Sequence, residues 1–452
     1  MKRFLSVLFA TLLLSAVLCV YASASDFDAV AEDLSAIGMF RGTDNGFELD
    51  RVPTRSEAAI MLVRLYGAEE MAKAAYENGE ISHPFTDVSA FTSPYVAWLY
   101  TNEITNGFTD TTYASQRACS AQNYVVFLLR ALGYKDGIDF QYADALSFAQ
   151  SKGFYNPEMF NGEFLRDDLA ALTYQALAAD MANGKTYLLD NLISDGAVNA
   201  KAAKSLTEKI QLYRSMTSAM ATMDENAMDI DIDTKMNLTM SAAGETITSS
   251  ADVSGNMKMI TDSPDIQLAY SMKTTNNGVS TEINLWMKDG WMYFHTDDLA
   301  MVKYHMEDQA AALESIEPID MDTLDVSGLA MLDSISSRKS GSNTIYTMVI
   351  NQNLGGLDSL AEEETTASSF TPITVIYTVD YRGHLKSVEM TYSADMTMEM
   401  PLTDGSAEKI EVRSDYHIMM KINATGNKVK ITWPDFSDAS EIVGGNSWPV
   451  GL

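Results

Sequence analysis

The feature that most constrains this chain is a phrase that occurs three times before residue 200. In its first copy the segment Gly46-Phe47-Glu48-Leu49-Asp50-Arg51-Val52-Pro53-Thr54-Arg55-Ser56-Glu57 is a loop that runs into a helix start. Thr54 supplies a capping hydroxyl and Glu57, three residues on, completes a capping box. Apolar residues follow at Ala58, Met61, Leu62 and Leu65, one face of a helix, and Gly67 stops it. The second copy holds Phe85-Thr86-Asp87-Val88, then Trp98-Leu99-Tyr100 and Ile104-Thr105-Asn106-Gly107, and ends in a helix from Ser120 to Leu132. The third holds Ala145-Leu146, Gly153-Phe154 and Phe164-Leu165-Arg166-Asp167-Asp168. Each unit is helix, loop, helix, too small to bury its apolar face alone, so the copies should stack on one another. They span about 26–67, 82–134 and 140–196.

A basic start (Met1-Lys2-Arg3), an apolar run over residues 4–20 and Ala22-Ser23-Ala24 mark residues 1–24 as a secretory signal peptide. Leu18 before Cys19 is too bulky for a lipid-attachment site. Export leaves Cys119 alone, so a large core must do the work of disulfides. No other stretch is long and apolar enough to span a bilayer. The formal charge of −31, from 62 acidic and 31 basic residues, disfavours nucleic acid and anionic membranes as partners.

After a small, polar linker at 197–204 the pattern changes. A helix fits 205–223, with Leu206, Ile210, Tyr213, Met216 and Met220 on one face. The period then becomes two. Ile230, Ile232, Thr234, Met236, Leu238 and Met240 alternate with Asp229, Asp231, Asp233, Lys235 and Asn237. The stretches 388–400 and 410–422 repeat this pattern, which argues for antiparallel strands with one buried face and one wet face. Asp289-Gly290 between two strand-like runs is a hairpin turn, and Ala243-Gly244, Asn276-Asn277-Gly278 and Arg382-Gly383 mark further turns. The segment 307–337 reads as irregular and partly helical, and acidic, Ser/Thr-rich 353–369 as a mobile loop. The expected fold class is therefore multidomain: an all-α three-repeat bundle, then an α+β domain (205–436) with a curved antiparallel sheet and packing helices, then a tail (437–452).

The repeat phrase resembles the S-layer homology (SLH) module, whose pattern is Phe-x-Asp, a Trp in the first helix, a glycine turn and a Thr-Arg-Ala-Glu helix start. The resemblance covers roughly 26–196. It implies a three-pronged spindle whose grooves bind secondary cell-wall polysaccharide, often pyruvylated, and hold an exported protein at the Gram-positive surface. It also implies site residues: Arg55 and Arg166 as motif arginines of repeats one and three, and Asp87, Trp98 and Gly107 from repeat two. An arginine at a helix start suits a pyruvyl carboxylate, because its planar fork pairs two oxygens beside the positive dipole end. Repeat two has Ala121 where the motif arginine would stand, so fewer than three working grooves are expected. The C-terminal pattern resembles, without a specific motif, the LolA/LppX-like lipoprotein-carrier fold, which implies a lipophilic ligand between sheet and helices. The 28 methionines, concentrated in this half, suit either an adaptable apolar cavity or an ordinary dry core.

No Gly-x-Ser-x-Gly, His-Glu-x-x-His, Walker A or Cys-x-x-Cys motif occurs, and the five histidines show no metal-ligand spacing. Asp229, Asp231 and Asp233 raise a calcium site against the plainer reading of solvated strand carboxylates. The sequence thus points to a non-enzymatic, wall-anchored surface protein without cofactor, metal or transmembrane anchor. The alternatives are a lipid or lipoprotein carrier tethered at the wall and a wall-associated hydrolase.

Overall fold

The computed structural model describes residues 27–160, 162–220, 226–242, 245–261, 266–276, 278–297, 299–305, 326–350, 365–401 and 407–442. The expected signal peptide, the Ala243-Gly244 turn, Asn277, residues 307–325 of the irregular segment, residues 353–364 of the acidic loop and the tail beyond 442 lie outside them. Contacts divide the chain into two units.

The first unit contains residues 27–214 together with 326–332. Its helices are α1 (Asp28–Ala36), α2 (Arg55–Leu65), α3 (Glu69–Glu77), α4 (Ser93–Thr101), α5 (Ala121–Ala131), α6 (Ala145–Ser151), α7 (Arg166–Ala178), α8 (Leu188–Ser194) and the first part of α9 (Lys204–Met220). The starts of α2 and α5 form where capping chemistry puts them. Glu57 N–H donates to Thr54 Oγ1 at 3.3 Å, and Thr54 N–H donates back to Glu57 Oε2 at 2.8 Å. Ser120 caps α5 by accepting from Asn123 N–H at 3.3 Å. The core gathers Leu34, Leu62, Leu65, Leu99, Tyr113, Tyr124 and Tyr174, all fully buried. Each such aliphatic side chain contributes about 1.5–3 kcal/mol when buried. Two of the core's tyrosine hydroxyls are tied down: Tyr124 Oη and Thr173 Oγ1 share a hydrogen bond at 2.5 Å, and Tyr174 Oη donates to Asp33 at 2.7 Å.

The boundary between units falls inside α9, after Arg214. Residues 326–332, far along the chain, also belong to the helical unit. Val326–Met331 forms a 3-10 turn against α7, with Leu329 fully buried. Gln175 Nε2 donates to Ser327 O at 2.6 Å, and Lys209 Nζ donates to Leu332 O at 2.7 Å.

Among the described residues the second unit is one 13-stranded sheet. Its strands are β1 (Ala227–Ala242), β2 (Glu245–Ile260), β3 (Gln267–Asn276), β4 (Val279–Lys288), β5 (Trp291–Thr296), β6 (Leu299–His305), β7 (Leu332–Ser340), β8 (Asn343–Ile350), β9 (Thr365–Phe370), β10 (Ile373–Val379), β11 (Leu385–Pro401), β12 (Ala407–Thr425) and β13 (Ser440–Glu441). The order is β13-β6-β5-β4-β3-β2-β1-β12-β11-β10-β8-β7, with β9 on β11. The pairs from β6 through β8, and β9 with β11, are antiparallel, and β13 runs parallel to β6. Register keeps the expected faces separate. Thr234 stands opposite Ile418, which stands opposite Met390, while Asp231 stands between Asn256 and Lys421. Asp289 (φ 52°) and Gly290 (φ 80°) turn β4 into β5 as expected of Asp-Gly. Two expectations are corrected. Residues 332–337 are strand, not irregular, and 365–369 pair with β11 rather than forming loop, because ladder hydrogen bonds to Ala394–Met398 outweigh their polar composition.

Candidate functional site

Two seams join the helical repeats, and both have the same backbone. In each, the first two N–H groups of a motif helix, which lack partners within the helix, donate to carbonyls in a loop of another repeat. Arg55 N–H donates to Arg117 O at 2.9 Å and Ser56 N–H to Ser115 O at 3.2 Å. Arg166 N–H donates to Arg51 O at 2.9 Å and Asp167 N–H to Leu49 O at 3.1 Å. The arginine Nε follows the same rule. Arg55 Nε donates to Tyr113 O at 3.1 Å, and Arg166 Nε to Phe47 O at 2.9 Å. The two loops therefore correspond at a constant offset: Phe47 with Tyr113, Glu48 with Ala114, Leu49 with Ser115, Arg51 with Arg117 and Thr54 with Ser120. Glu48 (φ 50°) and Ala114 (φ 62°) even share the left-handed backbone that few non-glycine residues adopt.

The seams differ at the guanidinium tips. Arg166 is 4 % exposed. Its Nη1 donates to Glu57 Oε1 at 2.6 Å, its Nη2 reaches Arg41 O at 3.5 Å, and its Cζ lies 4.8 Å from the Phe40 ring centre. Glu57 also accepts from Arg51 at 2.6 Å and 3.0 Å. Burial pushes the Glu57 carboxyl pKa up, but the bonds from Arg51 and Thr54 and the charge of Arg166 outweigh it and hold it below the ordinary value. Arg166 is thus a structural tie between repeats one and three. Its Nε, Nη1 and Nη2 each donate a hydrogen bond within the protein, and little of its guanidinium faces solvent.

Arg55 is half-buried, with its Cζ 4.9 Å from the Tyr113 ring centre. Its two terminal nitrogens have no hydrogen-bond or ion-pair partner among the described residues. Asp87 builds the loop beside it. Its carboxylate accepts from Tyr113 N–H and Ala114 N–H, both at 2.7 Å, and from Ser115 N–H at 3.2 Å. Partial burial raises the Asp87 pKa, but those three donors lower it further and set the net shift downward. Asp87 is therefore a positioning residue. Gly107 is required by its φ of 79° and by space, since a Cβ there would lie 2.7 Å from Phe85 Cζ and 3.0 Å from Thr109 O. Phe85 in turn packs edge-on against Tyr100 at 5.3 Å and beside Tyr113 at 5.7 Å. Of the five expected residues, Arg55, Asp87 and Gly107 meet around the Tyr113 loop. Trp98 is half-buried on α4, 5.4 Å from Tyr66. Tyr113, Phe108 and Arg117 were missed from sequence, although the shared offset between the two loops places Arg117 opposite Arg51.

Cys119 is 2 % exposed, and burial pushes its thiol up to about 12, so it is not a reactive thiolate at neutral pH. On the polar face of the sheet, Asp231, Asp233, Ser254, Asn256, Lys273 and Glu282 border an open hollow of about 360 Å³. Asn256 Nδ2 bridges Asp229 and Asp231 at 2.9 Å and 2.8 Å, and Lys258 pairs with Asp229 at 3.2 Å. No group of three or more His, Cys, Asp or Glu is arranged to hold a metal among the described residues. No helix of the described residues is long and apolar enough to cross a membrane.

Comparison with known proteins places the chain beside wall and surface-layer proteins. It is 31 % identical over 117 residues to the Middle cell wall protein of Brevibacillus brevis, covering 25 % of this chain and 11 % of that protein. It is 31 % identical over 134 residues to the Surface layer protein of Brevibacillus choshinensis, covering 28 % and 12 %. The chain thus spans about a tenth of the length of these relatives. Residues 100–197, less than a quarter of the chain, match a family model described as X-Prolyl dipeptidyl aminopeptidase PepX, N-terminal. Among solved structures, LprF from Mycobacterium bovis aligns over 51 % of this chain and 97 % of its own, at 11 % identity and a TM-score of 0.24.

Proposed function

We propose that this is a non-enzymatic protein of the Gram-positive cell surface, held non-covalently at the wall by its helical unit, which binds an acidic secondary wall polysaccharide and displays the sheet domain. The observation that carries this reading is Arg55. Two equivalent seams each hold an arginine at a helix start; one is closed by Glu57, and the other presents two guanidinium nitrogens unpaired among the described residues. A planar fork next to the positive end of an 11-residue helix suits the carboxylate of an acidic sugar. Tyr113 fixes the fork by accepting from Nε, and Asp87 and Gly107 fix Tyr113. The similarity to wall and surface-layer proteins supports the location, and the SLH-like repeat phrase supports the ligand class.

The test is co-sedimentation of the full-length protein with purified Gram-positive walls, before and after chemical removal of the secondary polysaccharide. Binding should vanish on stripping. Equal binding to stripped walls sinks the reading.

One observation favours a second role, a lipophilic ligand on the sheet. At the far end of β1 and β2, Met236, Leu238 and Met240 are only half-buried and Ile247 is 69 % exposed, which leaves part of the apolar face open. Organic extraction of the protein purified from its host, followed by mass spectrometry, would show stoichiometric lipid if this role holds and none if it does not.

A further inference from the structure

Arg117 holds in repeat two the place that Arg51 holds in repeat one. Each stands three residues before the capping hydroxyl, and each gives its carbonyl to the first N–H of a neighbouring motif helix. Arg51 is neutralised there. It donates to Glu57 at 2.6 Å and 3.0 Å and to Glu48 at 3.4 Å. In repeat two the positions of Glu48 and Glu57 are Ala114 and Asn123, so neither carboxylate exists. Arg117 is accordingly exposed, and its guanidinium has no hydrogen-bond or ion-pair partner among the described residues. It lies instead with Cζ 4.9 Å from the centre of the Phe108 ring, and Phe108 is itself 59 % exposed.

The same change frees Arg55. In the closed seam Glu57 takes the Nη1 of Arg166, and the residue corresponding to Glu57 in the open seam is Asn123. Asn123 is turned to other work: its Nδ2 donates to Ser120 Oγ at 2.8 Å, and its Oδ1 accepts from Tyr142 Oη at 3.0 Å. In a chain with two acidic residues for every basic one, two guanidinium groups in one seam have no carboxylate partner among the described residues. An exposed aromatic ring lies beside the second.

We infer that Arg55 and Arg117 form a two-arginine site for a glycan bearing carboxylates on neighbouring sugars, with Phe108 as the surface for a sugar ring and Asn123 as the residue that keeps the seam open. This rests on the wall-polysaccharide reading above and specifies its ligand as multiply acidic. Each guanidinium–carboxylate pair is a charge-assisted, fork-shaped contact, and losing one should weaken binding roughly tenfold.

The experiment is a wall-binding titration of the full-length protein at several salt concentrations, with purified Gram-positive walls as the probe, alongside urea unfolding of each variant. Arg117→Gln should bind roughly tenfold more weakly, with a shallower salt dependence. Phe108→Ala should weaken binding without changing that dependence. Asn123→Glu should close the seam, abolishing binding while leaving the unfolding midpoint equal or higher. If Arg55→Ala loses binding but Arg117→Gln and Asn123→Glu bind like the parent, the two-arginine site is wrong and a single-arginine anchor stands. If Arg55→Ala also binds like the parent, the anchor reading fails and this inference with it. Should Asn123→Glu lower the midpoint, Arg117→Gln decides, because Arg117 is exposed and makes no side-chain hydrogen bond or ion pair among the described residues.

Discussion

Two arginines at equivalent repeat positions should respond oppositely to the same substitution. Arg166→Ala removes a guanidinium that is 4 % exposed and held by Glu57 at 2.6 Å and Phe47 O at 2.9 Å. Deleting one member of a buried ion pair costs about 3–5 kcal/mol when the other is left uncompensated. Here Glu57 keeps Arg51 at 2.6 Å and its capping bonds, so the lower end, ~3 kcal/mol, is expected. Arg55→Ala removes one hydrogen bond and a ring contact from a half-buried side chain and should cost under about 1 kcal/mol. Urea unfolding of the full-length protein, followed by circular dichroism at a helix wavelength, separates the two. With a slope of roughly 2 kcal/mol/M, Arg166→Ala should lower the helical midpoint by ~1.5 M and Arg55→Ala by less than ~0.5 M. Wall binding should fall at least roughly tenfold in Arg55→Ala at full folding. Equal midpoints for the two variants would refute the assignment of Arg166 as tie and Arg55 as open donor.

Two predictions concern pH. Burial pushes Asp168 up to about 6, against a single bond from Leu165 N–H at 2.7 Å. A carboxyl raised in the folded state favours folding when protonated, and that stability is lost as pH rises through about 6. Asp168→Asn should therefore stabilise the protein by about 1–2 kcal/mol at pH 7.5 and be near-neutral at pH 4, as read from unfolding midpoints. Glu69 shows the reverse. Burial raises it, but bonds from Tyr95, Lys73 and Arg64 outweigh this and hold it at about 2. The stability this confers is present above the ordinary value of 4.5 and fades as pH falls toward 2. Glu69→Gln should cost about 2–3 kcal/mol at pH 7 and flatten the acid limb of the stability profile between those values.

Local chemistry made some of this architecture legible. Thr54 and Glu57 announce their helix start, the period-two runs announce the sheet faces, and Asp289-Gly290 announces its hairpin, because each is decided by residues within a few positions. The rest depends on contacts between distant segments. Glu57 reads as a capping residue, and nothing near it in sequence shows that it also closes the seam on Arg166. Residues 326–332 give no sign that they pack against α7, since a short apolar run carries no address. The polar segment 365–370 becomes a strand only because β11 offers it a ladder. At the site, Arg55, Asp87 and Gly107 were legible from the repeat phrase. Arg117 was hidden because its meaning lies in two absences, the carboxylates that repeat one has and repeat two lacks.

The central claim is that Arg55 grips an acidic wall glycan. The most direct measurement is calorimetric titration of the full-length protein and its Arg55→Ala variant with polysaccharide released from purified walls. The account predicts saturable binding by the parent, weakened at least roughly tenfold in the variant with its unfolding midpoint preserved. Equal affinity in the two proteins, or no binding by the parent, would contradict it.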